Sequence, residues 1–340
     1  MEEAAAQSVL AIDLGGTQIR AAHIGPDLVV RCRHATATDD QEGVEAVVGR
    51  ICDLAARVRD EASASDLPDP IGIGISSPGP LDPWRGVVIA PPNLQGWHDV
   101  PLVEWVARRT GLPTFLERDT NLAVLCEWHY GAARGTRSAV YVTVSTGIGG
   151  GIVLDGRPLV GADAAAGEVG HLTVDLDGPL CGDGQPGHAE AIGSGTAIAR
   201  DGRALWESGA SPRLRQLAAA ADEVDAELVA RAADEGDPAS RAVLVRAWTA
   251  IGAMCASLVN LLNPEVIVFG GSIAVHRPEL LDAVRDEIGR RAFPIPARRV
   301  RLALARYPDD VSLIGSLPMV NARMHDPAFG RLATPKLEET

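Results

Sequence analysis

A strand that runs into a glycine-rich turn and out into a second strand occurs twice in this 340-residue chain. The first copy is VLAID, LGGT and IRAAHI, and the second is AVYVTVS, TGIGGG and GIVLDG. Each copy opens a half in which strands and helices alternate, which predicts an α/β fold of two similarly built domains with a cleft between them. Two unrelated hairpins are the plainer alternative. Duplication is favoured because both turns place glycines directly after a strand that ends in a polar residue.

Apolar spacing and turn residues predict the other elements. In the first half we expect a strand at LVVRCRH, a helix over 44–58, a strand at IGIGIS, loops at SPGPLDP and APPNLQGW, a helix at LVEWVARRTG, a short strand at TFLERD and a helix at AVLCEWHYGAA. In the second half we expect a hairpin at Asp155-Gly156, a largely helical stretch over 193–263, a buried strand at PEVIVFGG, a helix near 278–292, a strand at VRLALA, a short helix from Leu313 and disorder over 326–340.

Composition excludes several classes of partner and chemistry. The net charge of −14 disfavours nucleic acid and anionic membranes, and no apolar run approaches the roughly 18 residues of a membrane helix. The start, MEEAAAQ, lacks the features of a signal peptide, and five scattered cysteines predict a reducing, cytoplasmic location. Lys336 is the only lysine. A P-loop lysine, a protein-kinase lysine and Schiff-base catalysis are therefore not expected.

The two glycine turns are candidates for binding phosphate, since glycines let backbone N–H groups approach anionic oxygens closely. The first turn offers Asp13, Gly15, Gly16 and Thr17, and the second offers Thr146, Gly147, Gly149 and Gly150. Together they predict a two-sided phosphate clamp. Asp13, at a strand end, suits Mg²⁺ held through water; a simple turn cap is the alternative.

Asp119 in ERDTN follows the last predicted strand of the first half. A hydroxyl that attacks a phosphoryl group needs its proton accepted and its position fixed, and a carboxylate does both. We therefore expect Asp119 to be a general base. A helix N-cap in DTNLA is the structural alternative.

The stretch GHLTVDLDGPLCGDGQPGHAE contains four residues that can each bind a cation: His171, Cys181, Asp183 and His188. One cysteine stands where a structural zinc site would usually have three or four. A zinc site, a remnant of one and a polar loop without metal all remain open.

The motifs DLGGTQIRAA, SPGPLD, APPNLQGW, ERDTNLAVLCE, TVSTGIGGGIV, GEVGH, EAIGSGTAIA and LVNLLNPEVIVFGGSI, in this order, resemble the ROK family of repressors, open reading frames and kinases. The resemblance covers about residues 8–320. It implies a two-domain actin-like (ribonuclease H-like) sugar kinase fold with an interdomain cleft. The expected domains are a small one over 8–120, joined by a helix near 311–325, and a large one over 121–310.

The resemblance also implies site residues. Asp119 matches the base for the sugar 6-hydroxyl, and Asn121, which follows it in the family pattern, is an expected sugar-binding residue. Glu168, His171 and Glu190 match residues that hydrogen-bond the sugar, and Gly79 and Asn93 lie in loops near it. The turn Gly147 to Gly151 matches the phosphate loop, and Gly270 and Gly271 lie by the adenine. ATP with Mg²⁺, no nucleic acid and a homodimer or homotetramer are implied.

Two departures from the family pattern stand out. Arg118 replaces an Asn that contacts the sugar, so it either reshapes the acceptor pocket or points away into an ion pair. The family's zinc motif keeps its spacing, but Asp183 and His188 replace two cysteines. A tetrahedral site with two nitrogens, one oxygen and one sulfur is chemically possible, whereas the loss of two thiolates lowers the affinity for zinc.

The favoured function is therefore an ATP-dependent kinase that phosphorylates the primary 6-hydroxyl of glucose. An amino sugar, N-acetylmannosamine or a sugar-like cyclitol are alternative acceptors. A sugar-sensing repressor is disfavoured because 12 residues precede Asp13, too few for a helix-turn-helix domain. A catalytically silent sugar-binding protein is disfavoured by Asp119 and the two phosphate turns.

Overall fold

The computed structural model describes residues 7–333, in two compact units. The first unit contains the chain up to Arg134, the segment Pro158–Ala166 and the chain from Asp309 onward; the second contains Gly135–Arg157 and Gly167–Pro308. The boundary expected at residue 120 lies instead at residue 134. The reason is that the helix Asp119–His129 packs closely against the helix Val311–Arg323, within the first unit.

The first unit is built on a five-stranded sheet of order β3-β2-β1-β4-β7. Strands β1, β2 and β3 are antiparallel neighbours, while β1, β4 and β7 run parallel. A separate antiparallel pair, β5 with β6, lies in the loop region that follows β4. The strands are β1 Val9–Leu14, β2 Gln18–Ile24, β3 Val30–Ala37, β4 Ile73–Ser77, β5 Leu81–Asp82, β6 Val87–Val88 and β7 Thr114–Arg118.

Helices cover both faces of this sheet, and β1 shows the period of two that this requires. Leu10, Ile12 and Leu14 belong to one buried cluster, and Val9 and Ala11 belong to the other. The first cluster includes residues of α1 and α2, and the second those of α3 and α12. The helices are α1 Val44–Ala64, α2 Leu102–Thr110, α3 Asp119–His129, α12 Val311–Arg323 and α13 Gly330–Ala333.

The second unit repeats this topology with the order β10-β9-β8-β11-β12. Strand β9 is antiparallel to β8, and β8, β11 and β12 run parallel. In both units three residues separate the two strands of the first hairpin, 15–17 and 145–147. The predicted repeat of strand, glycine turn and strand is thus confirmed. The strands are β8 Ala139–Val144, β9 Ile148–Leu154, β10 Arg157–Pro158, β11 Val266–Gly270 and β12 Arg301–Leu304.

Helix α8 is the central helix of the second unit and packs against α4, α5, α7 and α10. By length and composition it is also the one helix in the described part of the chain that is apolar enough to cross a membrane, an exception to the sequence expectation. Within its apolar window 61% is buried, which is typical of a core helix. The helices are α4 Ala189–Gly193, α5 Gly195–Ser208, α6 Pro212–Leu217, α7 Ala226–Asp234, α8 Pro238–Leu262, α9 Ser272–His276, α10 Leu280–Arg291 and α11 Pro294–Arg299.

Two local predictions are wrong. The turn expected over TGIGGG ends at Gly147, and Gly149 and Gly150 lie inside β9. The disorder expected over 326–340 does not hold for its first part, where Pro327–Phe329 forms a 3₁₀ turn and α13 follows. Phe329 is buried against Phe115, which supplies apolar burial that a sequence window cannot reveal. Residues 334–340 lie outside the described residues.

Candidate active site

Asp119 is the first residue of α3 and follows β7 without a loop. It is exposed, whereas its neighbours Arg118 and Thr120 are each 5% exposed. Its Oδ1 accepts a hydrogen bond from the backbone N–H of Thr120 at 2.7 Å. The carboxylate therefore stands one position beyond the N-cap and is fixed at a rigid junction while remaining open to a ligand.

Asn121 lies on the inner side of the same helical turn. It is 2% exposed and donates its Nδ2 amide to Glu117 Oε1 at 2.9 Å. Glu117 is also 2% exposed, and the same oxygen accepts from the backbone N–H of Arg118. The sugar contact expected of Asn121 does not fit this inward-facing amide, which belongs to a buried network. Sequence analysis missed Glu117 because a glutamate inside a buried strand carries no local motif.

The Arg118 side chain contacts two neighbouring segments of the first unit. Its Nη1 donates to the carbonyl oxygen of Ala166 at 3.1 Å, and its aliphatic stem packs beside Gly79, where an added Cβ would lie 3.5 Å from Nε. Arg118 thus ties the end of β7 to the loop before β5 and to the segment Pro158–Ala166. The two orientations expected from the sequence stay predictions.

The first glycine turn is held by an internal hydrogen bond and packs against the loop that contains Asn93. Gly15 N–H donates to Gln18 O at 3.0 Å, and a Cβ on Gly16 would come within 2.7 Å of Asn93 O. Asn93 is exposed beside this turn. Asp13 forms an ion pair with Arg20, with Nη2 2.5 Å from Oδ2, and Nε also donates to Oδ2. Asp13 is therefore partly neutralised before any Mg²⁺ arrives.

The second glycine turn is bound to helix α5 and to Glu190. Gly195 N–H donates to Ser145 O at 2.8 Å, and Thr196 donates through N–H and Oγ1 to Thr146 O. Glu190 Oε2 accepts from Ile148 N–H at 2.7 Å and would be 2.6 Å from a Cβ on Gly147. Glycine at 147 is thus needed for the carboxylate to approach the turn.

The other predicted phosphate or adenine glycines are required by packing. A Cβ on Gly150 would lie 2.7 Å from Val169, and one on Gly270 would lie 1.9 Å from the Tyr141 hydroxyl oxygen. Gly271 has a φ of +83°, a conformation that side chains disfavour. Gly149 lies in β9 opposite Thr143. Close packing thus requires glycine at 150 and 270, and the backbone conformation favours it at 271.

A cavity of about 760 Å³ opens beside the second turn, entirely within the second unit. Ser145 and Thr146 lie at one end with Ser272, whose Oγ is 3.0 Å from Ser145 Oγ. The walls carry both charged and apolar side chains, among them Arg203, Asp225, Trp248 and His276. Its volume is in the range of small-molecule sites. Sequence analysis identified Thr146 and missed the others, because they come from separate helices.

His171, Cys181, Asp183 and His188 come together in the second unit. One ligand atom from each lies within 4.8 Å of the other three. His188 Nδ1 is buried without a hydrogen-bond partner in the described chain and lies 3.5 Å from Asp183 Oδ2. The backbone N–H of Gln185 lowers the pKa of Asp183, and burial raises the pKa of the Cys181 thiol. Two nitrogens, one oxygen and one sulfur thus lie close enough together to serve as the four ligands of a tetrahedral metal site.

Glu168 and Glu190 flank this cluster. Glu168 lies 3.7 Å from His171 Nδ1 and is about half exposed. The Cys181 thiol points to Glu190 Oε1 at 3.8 Å. The cluster is therefore joined through Glu190 to the second glycine turn.

The family model for the ROK family matches residues 9–323. The chain belongs to the ROK family. This confirms the resemblance drawn from the eight ordered motifs, and with it the actin-like ATPase fold of ROK sugar kinases.

The relatives of this ROK protein include sugar kinases. A glucokinase of Thermotoga maritima is 32% identical over 316 residues, covering 93% of this chain and 98% of its own. The structure of a ROK hexokinase from Thermus thermophilus is 35% identical, with a TM-score of 0.78 and coverage of 92% and 97%. A ROK family glucokinase from Streptomyces griseus, solved with glucose and AMPPNP, is 28% identical, with a TM-score of 0.76 and coverage of 92% and 98%.

Proposed function

We propose that this ROK protein is an ATP-dependent hexose kinase that transfers the γ-phosphoryl group of ATP to the 6-hydroxyl of glucose or a glucose-like sugar. The observation that carries the proposal is Asp119, an exposed carboxylate fixed between two buried residues at the junction of β7 and α3. Relatives named glucokinase and hexokinase over nearly the whole chain support it.

In the proposed reaction, Asp119 accepts the proton of the 6-hydroxyl while the oxygen attacks the γ-phosphorus. The new O–P bond forms as the bond to the β,γ-bridging oxygen breaks, and ADP leaves. General base catalysis of this kind contributes roughly 10² to 10⁴ in rate. The hydrogen bond from Thr120 N–H holds Oδ1 and so orients the carboxylate.

We assign the nucleotide to the 760 Å³ cavity in the second unit. Its end at Ser145 and Thr146 offers hydroxyls and turn backbone to phosphate oxygens, as expected for a chain without a suitable lysine. Mg²⁺ supplies charge neutralisation on the phosphates when bound. In the first unit, Asp13 suits Mg²⁺ held through water, because both hydrogen bonds from Arg20 end on Oδ2 and leave Oδ1.

We assign zinc to His171, Cys181, Asp183 and His188. The buried, unpartnered Nδ1 of His188 and the convergence of four ligand atoms support this assignment. Zinc would fix the loop that carries His171, and His171 and Glu168 would then hold sugar hydroxyls. A homo-oligomer and a cytoplasmic location stay predictions; the five free cysteines in the described chain are compatible with a reducing compartment.

A coupled assay of ADP release tests the function directly. The purified protein, with ATP and Mg²⁺, is given glucose, mannose, N-acetylmannosamine, 3-amino-3-deoxyglucose and a cyclitol. We expect sugar-dependent ADP release, with the 6-phosphate as product for the preferred hexose. Sugar binding without ADP release on every acceptor would instead support a sugar-sensing protein.

A further inference from the structure

The carboxylate of Glu117 is the centre of a buried polar network in the first unit. Oε1 accepts from Arg118 N–H and from Asn121 Nδ2, both at 2.9 Å. Oε2 accepts from Arg323 Nη2 at the end of α12. Glu117 therefore binds the backbone N–H of Arg118, the side chain of Asn121 and the distant helix α12.

The guanidinium of Arg323 binds two consecutive residues of β7, the strand that leads to Asp119. While Nη2 binds Glu117, Nη1 donates to the carbonyl oxygen of Leu116 at 2.8 Å. Only a guanidinium can hold two such acceptors in a fixed planar geometry. The two contacts fix consecutive residues of β7, so the strand end cannot shift along or rotate against α12.

The C-terminal segment shields this ion pair. The guanidinium carbon of Arg323 lies 4.3 Å from the ring centre of Phe329, which packs edge-on against Phe115. Arg323 is 9% exposed and Glu117 2%. A buried ion pair is weak evidence for stability, because desolvation offsets much of the attraction. The ion pair therefore contributes a fixed geometry to the fold rather than a large stabilisation energy.

We propose that Glu117 and Arg323 are positioning residues that hold the Asp119 carboxylate in place, and that Phe329 shields this ion pair from water. The proposal rests on the proposed function, because Asp119 is the base. A displacement of about 1 Å in a catalytic group can cost about 100-fold in rate. Because the ion pair is buried, its effect should fall on kcat.

The experiment uses the full chain with three changes. Arg323→Lys keeps the charge but loses the planar pair of nitrogens that binds Leu116 O and Glu117 in one fixed geometry. The double variant Glu117→Gln with Arg323→Met removes both charges, so that no buried charge is left alone. Arg31→Met, which breaks the exposed Arg31–Asp27 pair in the same unit, is the control. For each protein, kcat, KM for ATP, thermal unfolding and amide hydrogen exchange of the peptide over 114–122 are measured.

We expect both Arg323 variants to lower kcat by about tenfold or more, with KM for ATP changed less than about threefold. Exchange should accelerate over 116–121 and stay unchanged in Val266–Gly270 of the second unit, and the control should match the wild type. A double variant as stable as the wild type with a wild-type kcat, or unchanged exchange over 116–121, would overturn the proposal. If the wild type phosphorylates no sugar, the proposed function fails, while the exchange measurement still decides whether the pair fixes this segment.

Discussion

Glu190 Oε2 lies 2.7 Å from the backbone nitrogen of Ile148 and accepts its hydrogen. This bond joins the first turn of α4 to the start of β9, directly after the second glycine turn. The other oxygen faces the Cys181 thiol. A residue expected to bind sugar thus also sets the position of the phosphate turn, and its substitution should affect both stability and catalysis.

We expect Glu190→Ala to lower the free energy of unfolding by about 1 to 3 kcal/mol, because Ile148 N–H loses its partner in a partly buried place. It should also raise KM for the sugar. Glu190→Gln keeps an oxygen acceptor and should retain most of the stability. Urea unfolding and sugar kinetics check this. Equal stability of the alanine variant and the wild type would show that the hydrogen bond does not contribute to the free energy of unfolding.

The duplicated architecture was predictable from the sequence because period-two apolar strands and three-residue glycine turns are local signals. Glu117, Arg323 and the walls of the cavity were not, since their partners are distant in sequence. The glycines of TGIGGG show a second limit. A glycine needed for close packing, as Gly150 is against Val169, has the same one-letter signature as one that approaches a phosphate.

Arg118 joins the end of β7 to two neighbouring segments of the first unit. Arg118→Asn removes the hydrogen bond to Ala166 O and the packing on Gly79. We expect lower stability and a higher KM for every accepted sugar, with the order of preference unchanged. Kinetics on glucose, mannose, N-acetylmannosamine and 3-amino-3-deoxyglucose check this. An improvement of tenfold or more for glucose alone, about 1.4 kcal/mol, would show that Arg118 selects the sugar.

Zinc content is tested by elemental analysis of the purified protein, where we expect about one zinc per chain. Removal with a chelator, Cys181→Ser and Asp183→Ala should each lower stability and raise KM for the sugar, since His171 loses its anchor. Re-addition of zinc should restore the chelated wild type and not the variants. Metal-free protein with full activity would contradict the assignment.

Gly315 tests the packing of α12 on α3. A Cβ at this position would lie 2.1 Å from Leu122 O. We expect Gly315→Ala to destabilise the protein by about 1 to 3 kcal/mol or more, through overpacking. Gly289, inside α10 with nothing within 4 Å of a Cβ, is the control: Gly289→Ala should stabilise by about 0.4 to 1 kcal/mol. Thermal unfolding decides, and equal effects of both changes would contradict this packing.

Asp119→Asn measures the central claim. Asparagine keeps the size of the side chain and an oxygen for Thr120 N–H, so the fold and sugar binding should persist. The control is Asp282→Asn, which changes an exposed acid in the first turn of α10. With ATP and the preferred sugar, we expect kcat to fall by at least about 100-fold for Asp119→Asn and to stay unchanged for Asp282→Asn. A near-normal kcat for Asp119→Asn would contradict its role as the base.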